Sequence, residues 1–289
     1  MNGAQRSADL RNRLSARESV LMPGVWDPLS ALIVQNSGFS TAFVSGFAVS
    51  GTLLGRPDVG YLTQTEMAEV AQRVCASAPN LNLVVDADTG YGDPMTVRRT
   101  VELWEQAGAA GLFLEDQVWP KRCGHMDGKQ VVEREDWLAK LRAACDHREH
   151  LHVTARTDAR AAVSLNEAIE RAKMARDCGV DALFVEAPQS VEEMEAIANA
   201  LPDITLVANM VEKGKTPLLT PSELADLGFR LIVSPLSLLL SAVQAMSTAA
   251  QRLAHDGSLR TYLADVAPFD SFTDLVGLPE HLANEKRYS

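Results

Sequence analysis

Short apolar runs alternate with amphipathic stretches along most of the chain. Each run is too short to form a helix and is rich in Val, Leu or Phe, which is typical of a strand buried on both faces. Two of the amphipathic stretches end at Gly108 and Gly179, and glycine is common where a helix terminates. The eight runs, each predicted to be a strand, begin at Val20, Thr41, Leu83, Gly111, His152, Ala182, Thr205 and Leu231.

Alternation of strands and helices predicts a parallel sheet. Eight such units in about 250 residues favour a (β/α)8 barrel. The alternative, an open doubly wound sheet, would carry a GxGxxG turn after its first strand, and none is present. We therefore predict one domain over residues 1–289, with the barrel at about 15–255 and a C-terminal helical appendage at about 256–289.

The predicted appendage carries apolar residues at roughly helical spacing, among them Tyr262, Phe269 and Phe272. A complete barrel offers no obvious place to bury them, so we predict that the appendage docks on a neighbouring subunit.

Composition narrows the class of protein. Of the 289 residues, 46% are hydrophobic and 22% are charged, which excludes a disordered chain. The net charge of −11, without a local basic patch, argues against nucleic-acid binding. No apolar run is long enough to span a membrane, and no secretory signal precedes the first strand. Because the four cysteines form no CxxC pair, we interpret them as reduced thiols and predict a cytoplasmic protein.

Polar residues follow most of the predicted strands, which is where barrels of this kind carry their chemistry. Strand ends that simply meet solvent explain part of this pattern. They do not explain carboxylates gathered at strands three, four and six, since such groups would repel one another. A divalent cation would resolve the conflict, and oxygen ligands without histidine favour Mg²⁺, with Mn²⁺ possible. Asp86 and Asp88, two residues apart, would point to the same face, and Gly90 and Gly92 would let the next loop turn sharply.

The loop that follows strand four carries cations around a thiol, in the order Lys121, Arg122, Cys123, His125 and Lys129. A thiol flanked by cations has a lowered pKa and more thiolate character. This arrangement predicts a lid that carries an acid/base cysteine, whereas the alternative is a solvated basic loop.

Arg156, at the end of strand five, is predicted to hold a carboxylate through two hydrogen bonds. The competing interpretation is a structural ion pair with Glu186.

The motifs in this order resemble those of the isocitrate lyase/phosphoenolpyruvate mutase superfamily over residues from about 15 to 280. The resemblance rests on Ser45-Gly46, the DADTGYG run from Asp86, EDQ at Glu115, KRCGH from Lys121, ARTDAR from Ala155, VEAP from Val185 and NMVEKGKTP from Asn209. It implies a modified barrel whose last helix is exchanged between subunits of a homotetramer, a dimer of dimers. Cysteine in the lid resembles the carbon–carbon lyase branch, which cleaves a 2-hydroxy acid between C2 and C3.

The same resemblance implies a role for each site residue. Asp86 and Asp88 would hold Mg²⁺, with Asp58 and Glu115 as outer carboxylates acting through water. Cys123 would protonate the departing carbanion, with help from Lys121 and His125. The remaining substrate contacts are implied for Ser45, Gly46, Phe47, Gly124, Arg156, Glu186 and Asn209. The group that removes the hydroxyl proton stays open.

Two departures from the family pattern bear on the substrate, which is predicted to be a small 2-hydroxy or 2-keto acid. Leu240 and Phe272 stand where methylisocitrate-cleaving relatives carry arginines for an additional carboxylate. An unpaired carboxylate buried there would cost several kcal/mol, so a 2-alkylmalate is favoured. A phosphonomutase shares these departures and is the main alternative. Pro235, in place of the serine typical of oxaloacetate hydrolases, disfavours oxaloacetate hydrolysis, and a barrel that only binds a ligand is the remaining possibility.

Overall fold

A computed structural model describes residues 1–122 and 128–288 of the chain. Eight parallel strands form a closed barrel in which every strand pairs with its neighbour in sequence and β8 returns to β1. All eight predicted strands are confirmed, and the last begins two residues before the predicted start. The strands are β1 Val20–Val25, β2 Thr41–Val44, β3 Asn82–Asp86, β4 Gly111–Glu115, β5 His152–Thr157, β6 Ala182–Val185, β7 Thr205–Asn209 and β8 Phe229–Ser234.

Helices surround the barrel and begin at polar caps that the sequence supplies. In α5, the Asp93 carboxylate accepts the Thr96 N–H at 2.9 Å, Pro94 occupies the first turn, and Gly108 ends the helix at φ +85°. The helices are α1 Gly3–Ser15, α2 Pro28–Asn36, α3 Gly46–Val49, α4 Gln64–Ser77, α5 Pro94–Ala107, α6 Arg134–His147, α7 Ala159–Ala162, α8 Leu165–Arg176, α9 Val191–Ala200, α10 Pro221–Asp226, α11 Ser237–Asp256, α12 Phe269–Leu275 and α13 Leu278–Tyr288, with a π-helical turn at Ser50–Leu54 and a 3₁₀ turn at Leu263–Asp265.

Alternation along each strand divides the core into two parts. Outward residues such as Val85 and Leu114 pack against the helices, while inward residues fill the barrel. Helix α1 closes the amino end of the barrel, where Leu10 and Leu14 join the inward cluster beside Met22. The barrel is therefore a packed core that is open to a ligand at its other end.

The C-terminal helices α12 and α13 leave large apolar side chains exposed. Phe269 is 79% exposed and Phe272 is 47% exposed, and neither helix has buried residues. The predicted appendage thus contains two helices, although Tyr262 lies in a loop that precedes them. Among the described residues, no helix combines the length and apolar character needed to cross a membrane.

Candidate active site

A ring of polar side chains lies above the apolar interior of the barrel. Each member lies two residues after a residue that points into the barrel, such as Phe43, Phe113 or Phe184. Because side chains alternate along a strand, the member of the ring points to the same face. The ring sits at the carboxyl ends of consecutive strands and consists of Ser45, Asp86, Glu115, Arg156, Glu186 and Asn209.

This ring surrounds a cavity of about 260 Å³. Phe43, Phe113 and Phe184 form its floor, with successive ring centroids 4.9 and 5.6 Å apart. Its two sides differ. Carboxylates and cations line one side, among them Asp58, Asp86, Glu115, Lys121, Arg122 and Arg156, and the other side is lined by Phe47, Val211, Val233, Pro235 and Leu236. A ligand here would meet charge on one flank and hydrocarbon on the other.

Gly46 and Asp86 approach each other closely on the charged side. The Gly46 N–H donates to Asp86 Oδ2 at 3.3 Å, and a Cβ at Gly46 would lie 2.9 Å from that oxygen. The N–H of Ser45 donates to the Val25 carbonyl at 3.1 Å, while its hydroxyl accepts the Ala48 N–H at the start of α3. The backbone N–H groups of Ser45 and Gly46, two residues that the resemblance implies as substrate contacts, are therefore engaged within the protein.

Asp88 lies beyond the end of β3, with φ at +44°, so the simple strand alternation does not extend to it. Its Oδ1 lies 2.8 Å from Lys121 Nζ, and the same ammonium pairs with Asp58. The side chains of all three are at least 93% buried. The interpretation of this loop as solvated is wrong for Lys121 and Lys129, both of which are buried among carboxylates.

Burial controls the protonation of this acidic side. Desolvation raises the pKa of Asp88 to about 7 and that of Glu115 well above its ordinary value, in spite of the opposing effects of Lys121 and Arg156. Burial also opposes the charge on Lys121, but the carboxylates of Asp88 and Asp58 outweigh it and hold its pKa well above normal. Lys121 therefore stays an ammonium, and the raised pKa values of Asp88 and Glu115 show that burial opposes the ionisation of the carboxylates near it.

The donor set fits a hard divalent cation. Asp86, Asp58 and Glu115 present carboxylate oxygens to the cavity, and Glu115 Oε1 is buried without a hydrogen-bond partner among the described residues. Oxygen donors without imidazole or thiolate are those that such ions prefer. Another acidic group, of Glu105, Glu149 and His150, lies at the opposite end of the barrel. Glu105 there accepts three backbone N–H groups, so its geometry is explained by the loop it supports.

Arg156 faces three carboxylates rather than one. It makes two hydrogen bonds to Asp158, of 2.9 and 3.1 Å, and its Nε lies 3.3 Å from Glu115 and 3.8 Å from Glu186. These carboxylates outweigh the effect of burial and raise the pKa of Arg156 well above its usual range. The predicted ion pair with Glu186 is the longest of the three, and Arg156 also lines the cavity, as a carboxylate-binding group must.

Glu186 and Asn209 lie next to each other on β6 and β7. The Asn209 amide donates to both Glu186 oxygens, at 3.2 and 3.4 Å. Glu186 is fully buried, whereas Asn209 lines the cavity. Asn209 is thus positioned to contact a ligand, and Glu186 lies behind it.

The loop after β4 is anchored on both of its described sides. Gln117 exchanges hydrogen bonds with the Arg122 backbone at 2.8 and 2.9 Å, and the Val118 N–H donates to the Gln130 carbonyl at 2.8 Å. Cys123, Gly124 and His125, which the sequence predicts to act in the lid, lie outside the described residues.

Several residues that support the site were not predicted from the sequence. Asp116 accepts the Thr157 hydroxyl at 2.6 Å and the Asp158 N–H at 2.8 Å, and Lys140 donates to the Thr89 carbonyl at 3.0 Å in the loop after β3. The contacts of Asp116 could be expected from the sequence, because Asp116, Thr157 and Asp158 all lie at strand ends. Nothing in the sequence pairs α6 with the loop after β3.

Leu240 does not lie in the cavity, although the prediction of an alkylmalate substrate depends on its contact with the substrate. It is 44% exposed on α11 and does not line the cavity, whereas Leu236, one turn earlier, does. Phe272 is 47% exposed on α12 and does not line the cavity either. The apolar side of the cavity therefore depends on other residues.

A closed barrel with charged and polar groups gathered at the carboxyl ends of its strands defines a (β/α)8-barrel enzyme that acts on a small molecule. A family model described as phosphoenolpyruvate phosphomutase matches residues 10–254. The chain is 47% identical over 275 residues to the chloroplastic carboxyvinyl-carboxyphosphonate phosphorylmutase of Arabidopsis thaliana, covering 93% of this chain and 81% of the relative. It is 38% identical to the 2,3-dimethylmalate lyase of Eubacterium barkeri, with 98% of both chains covered.

Solved structures agree with these sequence matches. An oxaloacetate acetylhydrolase bound to 3,3-difluorooxalacetate superposes with a TM-score of 0.93 at 34% identity, covering 99% of this chain and 97% of the other. A phosphonopyruvate hydrolase bound to oxalate and Mg²⁺ superposes with a TM-score of 0.88 at 26% identity, covering 100% and 99%. This chain belongs to the phosphoenolpyruvate phosphomutase family, within the isocitrate lyase/phosphoenolpyruvate mutase superfamily, and is an enzyme.

Proposed function

We propose that this enzyme is a Mg²⁺-dependent carbon–carbon lyase. Its substrate would be a 2-hydroxydicarboxylate that carries an alkyl group, of the 2-alkylmalate, dimethylmalate or methylisocitrate-like type. Cleavage between C2 and C3 would release a 2-keto acid, pyruvate or glyoxylate, and a carboxylic acid. The observation that best supports this proposal is the cavity of about 260 Å³, which has one charged and one apolar side. Such a cavity matches a small diacid with a short alkyl substituent.

Asp86 and Asp88 would hold the metal ion, with Asp58 and Glu115 acting through water. When bound, Mg²⁺ would lower the pKa of the substrate's C2 hydroxyl and stabilise negative charge on the reacting oxygen. The magnesium named with the phosphonopyruvate hydrolase supports this choice of ion. Lys121, held between Asp58 and Asp88, would keep these carboxylates in place without the ion.

The organic part of the substrate would be held by this chain's own side chains. Arg156 would bind a carboxylate of the α-oxyacid end, since it lines the cavity and stays charged. Asn209 would bind the carboxylate of the leaving acid, with Glu186 fixing the orientation of its amide. Cys123, assisted by Lys121 and His125, would protonate the carbanion as the C2–C3 bond breaks.

The test is keto-acid release, coupled to lactate dehydrogenase, from 2,3-dimethylmalate, a 2-ethyl-3-methylmalate, methylisocitrate, isocitrate and oxaloacetate. We expect Mg²⁺-dependent turnover of the alkylmalates and none with a chelator. Turnover of methylisocitrate alone would mean that a cation other than the missing arginines serves its third carboxylate. No turnover of any hydroxy acid would contradict the proposal.

Replacing the lid thiol tests the acid. Cys123→Ser should lower kcat by about 10²- to 10⁴-fold, the usual contribution of a general acid. Oxalate binding in Mg²⁺, measured by calorimetry, should stay within about threefold of wild type, because the substitution removes no ligand contact that the proposal assigns. Near-native turnover of the variant would show that another group supplies the proton.

Two other activities have specific support. The mutase interpretation is favoured by the name of the relative at 47% identity, and a new carbon–phosphorus bond in phosphorus NMR would establish it. Oxaloacetate hydrolysis is favoured by the structural neighbour at a TM-score of 0.93. Pro235 lines the cavity where such hydrolases are expected to carry serine, which argues against it.

We also propose a homotetramer, a dimer of dimers, in which the C-terminal helices pack on a neighbouring subunit. A groove between α2 and α11 exposes Leu29, Ile33, Val243 and Met246, and the apolar residues of α12 and α13 are exposed as well. Light scattering that reports a monomer would contradict this assembly. Cytoplasmic localisation stays a prediction.

A further inference from the structure

Lys129 lies in the last part of the loop after β4, and its side chain is buried in the protein. The chain directly after it is fixed, because the Val118 N–H donates to the Gln130 carbonyl at 2.8 Å and the Val132 N–H donates to the Asp116 carbonyl at 2.9 Å. The Lys129 side chain is 1% exposed. A lysine buried to this degree needs a structural or functional reason.

Among the described residues, Lys129 pairs with the carboxylate that holds Arg156. Lys129 Nζ donates to Asp158 Oδ1 at 2.8 Å, and the Asp158 side chain is fully buried. Arg156 Nη2 donates to the same oxygen at 3.1 Å, while its Nε donates to Oδ2 at 2.9 Å. Asp158 therefore lies between two cations, and of these three residues only Arg156 lines the cavity.

The balance of charge around Arg156 gives Lys129 a function. Arg156 contacts Asp158, Glu115 and Glu186, so one cation meets three carboxylates. Asp158 makes the shortest of these contacts, so its negative charge would cancel the charge that Arg156 presents to an anionic ligand unless Asp158 is itself offset. In a buried site such a charge is poorly screened by solvent, so its effect on a neighbouring anion is large. Lys129, which does not line the cavity, offsets the charge of Asp158.

We propose that Lys129 is a positioning residue for substrate binding: it fixes Asp158 and balances its charge, so that Arg156 can bind a substrate carboxylate. The inference rests on the proposed function in assigning that role to Arg156. Lys129 itself would not touch the substrate. Its effect would therefore appear in affinity more than in the rate of the chemical step.

The experiment measures oxalate affinity by calorimetry in Mg²⁺ buffer, alongside KM and kcat on the best substrate. Lys129→Met should weaken oxalate binding by about 10- to 100-fold, the range typical when a supporting partner of a ligand-binding group is lost. KM should rise by a similar factor, while kcat changes by less than about threefold. Lys129→Arg, which keeps the charge, should recover most of the affinity.

A double variant separates charge balance from simple damage. Lys129→Met with Asp158→Asn removes one charge of each sign and keeps an oxygen that can accept from Arg156, so oxalate affinity should return to within about threefold of wild type. Lys173→Met is the matched control, because Lys173 pairs with Glu170 at 2.8 Å on the surface of α8 and should leave both affinity and KM unchanged. Thermal unfolding verifies that each variant is folded.

The proposal is overturned if folded Lys129→Met binds oxalate as tightly as wild type, or if the folded double variant stays more than tenfold weaker. Should Lys129→Met fail to fold, the double variant alone decides. If wild type does not bind oxalate, Arg156 is not an anion-binding group and the proposal also fails. Wild type that binds oxalate but cleaves no hydroxy acid would remove the proposed activity, while the comparison of affinities would still test Lys129.

Discussion

The two ends of the barrel use similar side chains for different purposes. At the amino end, Arg6 donates to the carbonyls of Gly108, Cys75 and Ala78 at 2.8, 2.9 and 3.2 Å, and the Ser7 hydroxyl donates to the Ala110 carbonyl at 2.6 Å. At the carboxyl end, Arg156 and Lys121 contact carboxylates of other side chains.

This difference separates stability from binding. Backbone carbonyls at the amino end are fixed acceptors, and the cations of α1 satisfy them where strands and helices terminate. Beneath them Leu10 is fully buried in the barrel interior. At the carboxyl end the cations face clustered acids that are stable only while their charge is balanced. We therefore expect substitutions at the carboxyl end to change activity and those at the amino end to change folding.

The largest effect is expected at the acids that we propose bind the metal ion. Asp86→Asn should lower turnover by about three orders of magnitude, which corresponds to several kcal/mol of lost charge stabilisation. It should also abolish the rise in unfolding temperature that Mg²⁺ gives wild type. In contrast, Asp9→Asn on α1, which removes a carboxylate paired with Arg13 and Asn82, should change turnover by less than about twofold. Turnover within tenfold of wild type in Asp86→Asn would contradict the assignment.

The reverse pattern is expected at the amino end. Leu10→Ala should reduce the free energy of unfolding by about 2–5 kcal/mol, because it opens a cavity in the interior beneath the aromatic floor. Its kcat/KM, measured well below the unfolding temperature, should match wild type. Val163→Ala, at a position 63% exposed, provides the control and should cost less than about 0.5 kcal/mol. A large loss of kcat/KM in Leu10→Ala would show that the two ends are coupled.

The smallest expected effect is a difference in pH dependence. Burial lowers the pKa of His152, at the start of β5, to about 4 from 6.5. The histidine is neutral in both states above pH 6.5, and below it the unfolded chain takes up the proton first. Its contribution therefore destabilises the fold progressively from pH 6.5 to 4, by about 3 kcal/mol in total.

Carboxylates at the opposite end act in the other direction. Burial raises the pKa of Asp116 to about 6, so the folded state takes up that proton first, and stability from this group is lost as the pH rises from about 4 to 6.

The contribution of His152 to stability is isolated by subtracting urea-unfolding free energies of His152→Gln from those of wild type at pH 7, 5.5 and 4. The variant should lose less stability on acidification, and parallel curves would contradict the shift.

Much of the fold follows directly from local pattern. All eight strands were predictable because each apolar run is short, continuous and separated from the next by an amphipathic helix. The C-terminal helices were predictable from their spacing, although not the loop that contains Tyr262. The role of α1 was not, since nothing in its sequence shows that Leu10 and Leu14 enter the barrel and do not pack on its outside.

The position of several polar residues at the mouth of the barrel was predictable, but their pairings were not. Strand alternation places Asp86, Glu115 and Arg156 at the mouth, because each follows an inward residue by two positions. The interpretation of Arg156 as a partner of Glu186 missed the closer Asp158, and Leu240 lies outside the cavity although its position in the sequence favoured it.

The sequence by itself determined the order of strands and helices, the polar residues at the strand ends and the family to which the chain belongs. These depend on the period of each element and on local motifs, which act over a few residues. Tertiary structure decided which charges meet. The pairing of β4 with β5 sets Glu115 beside Arg156 in register, and the loop after β4 returns Lys129 to Asp158, which lies 29 residues further along the chain. Such contacts depend on the relative placement of whole elements, and no local pattern in the chain encodes it.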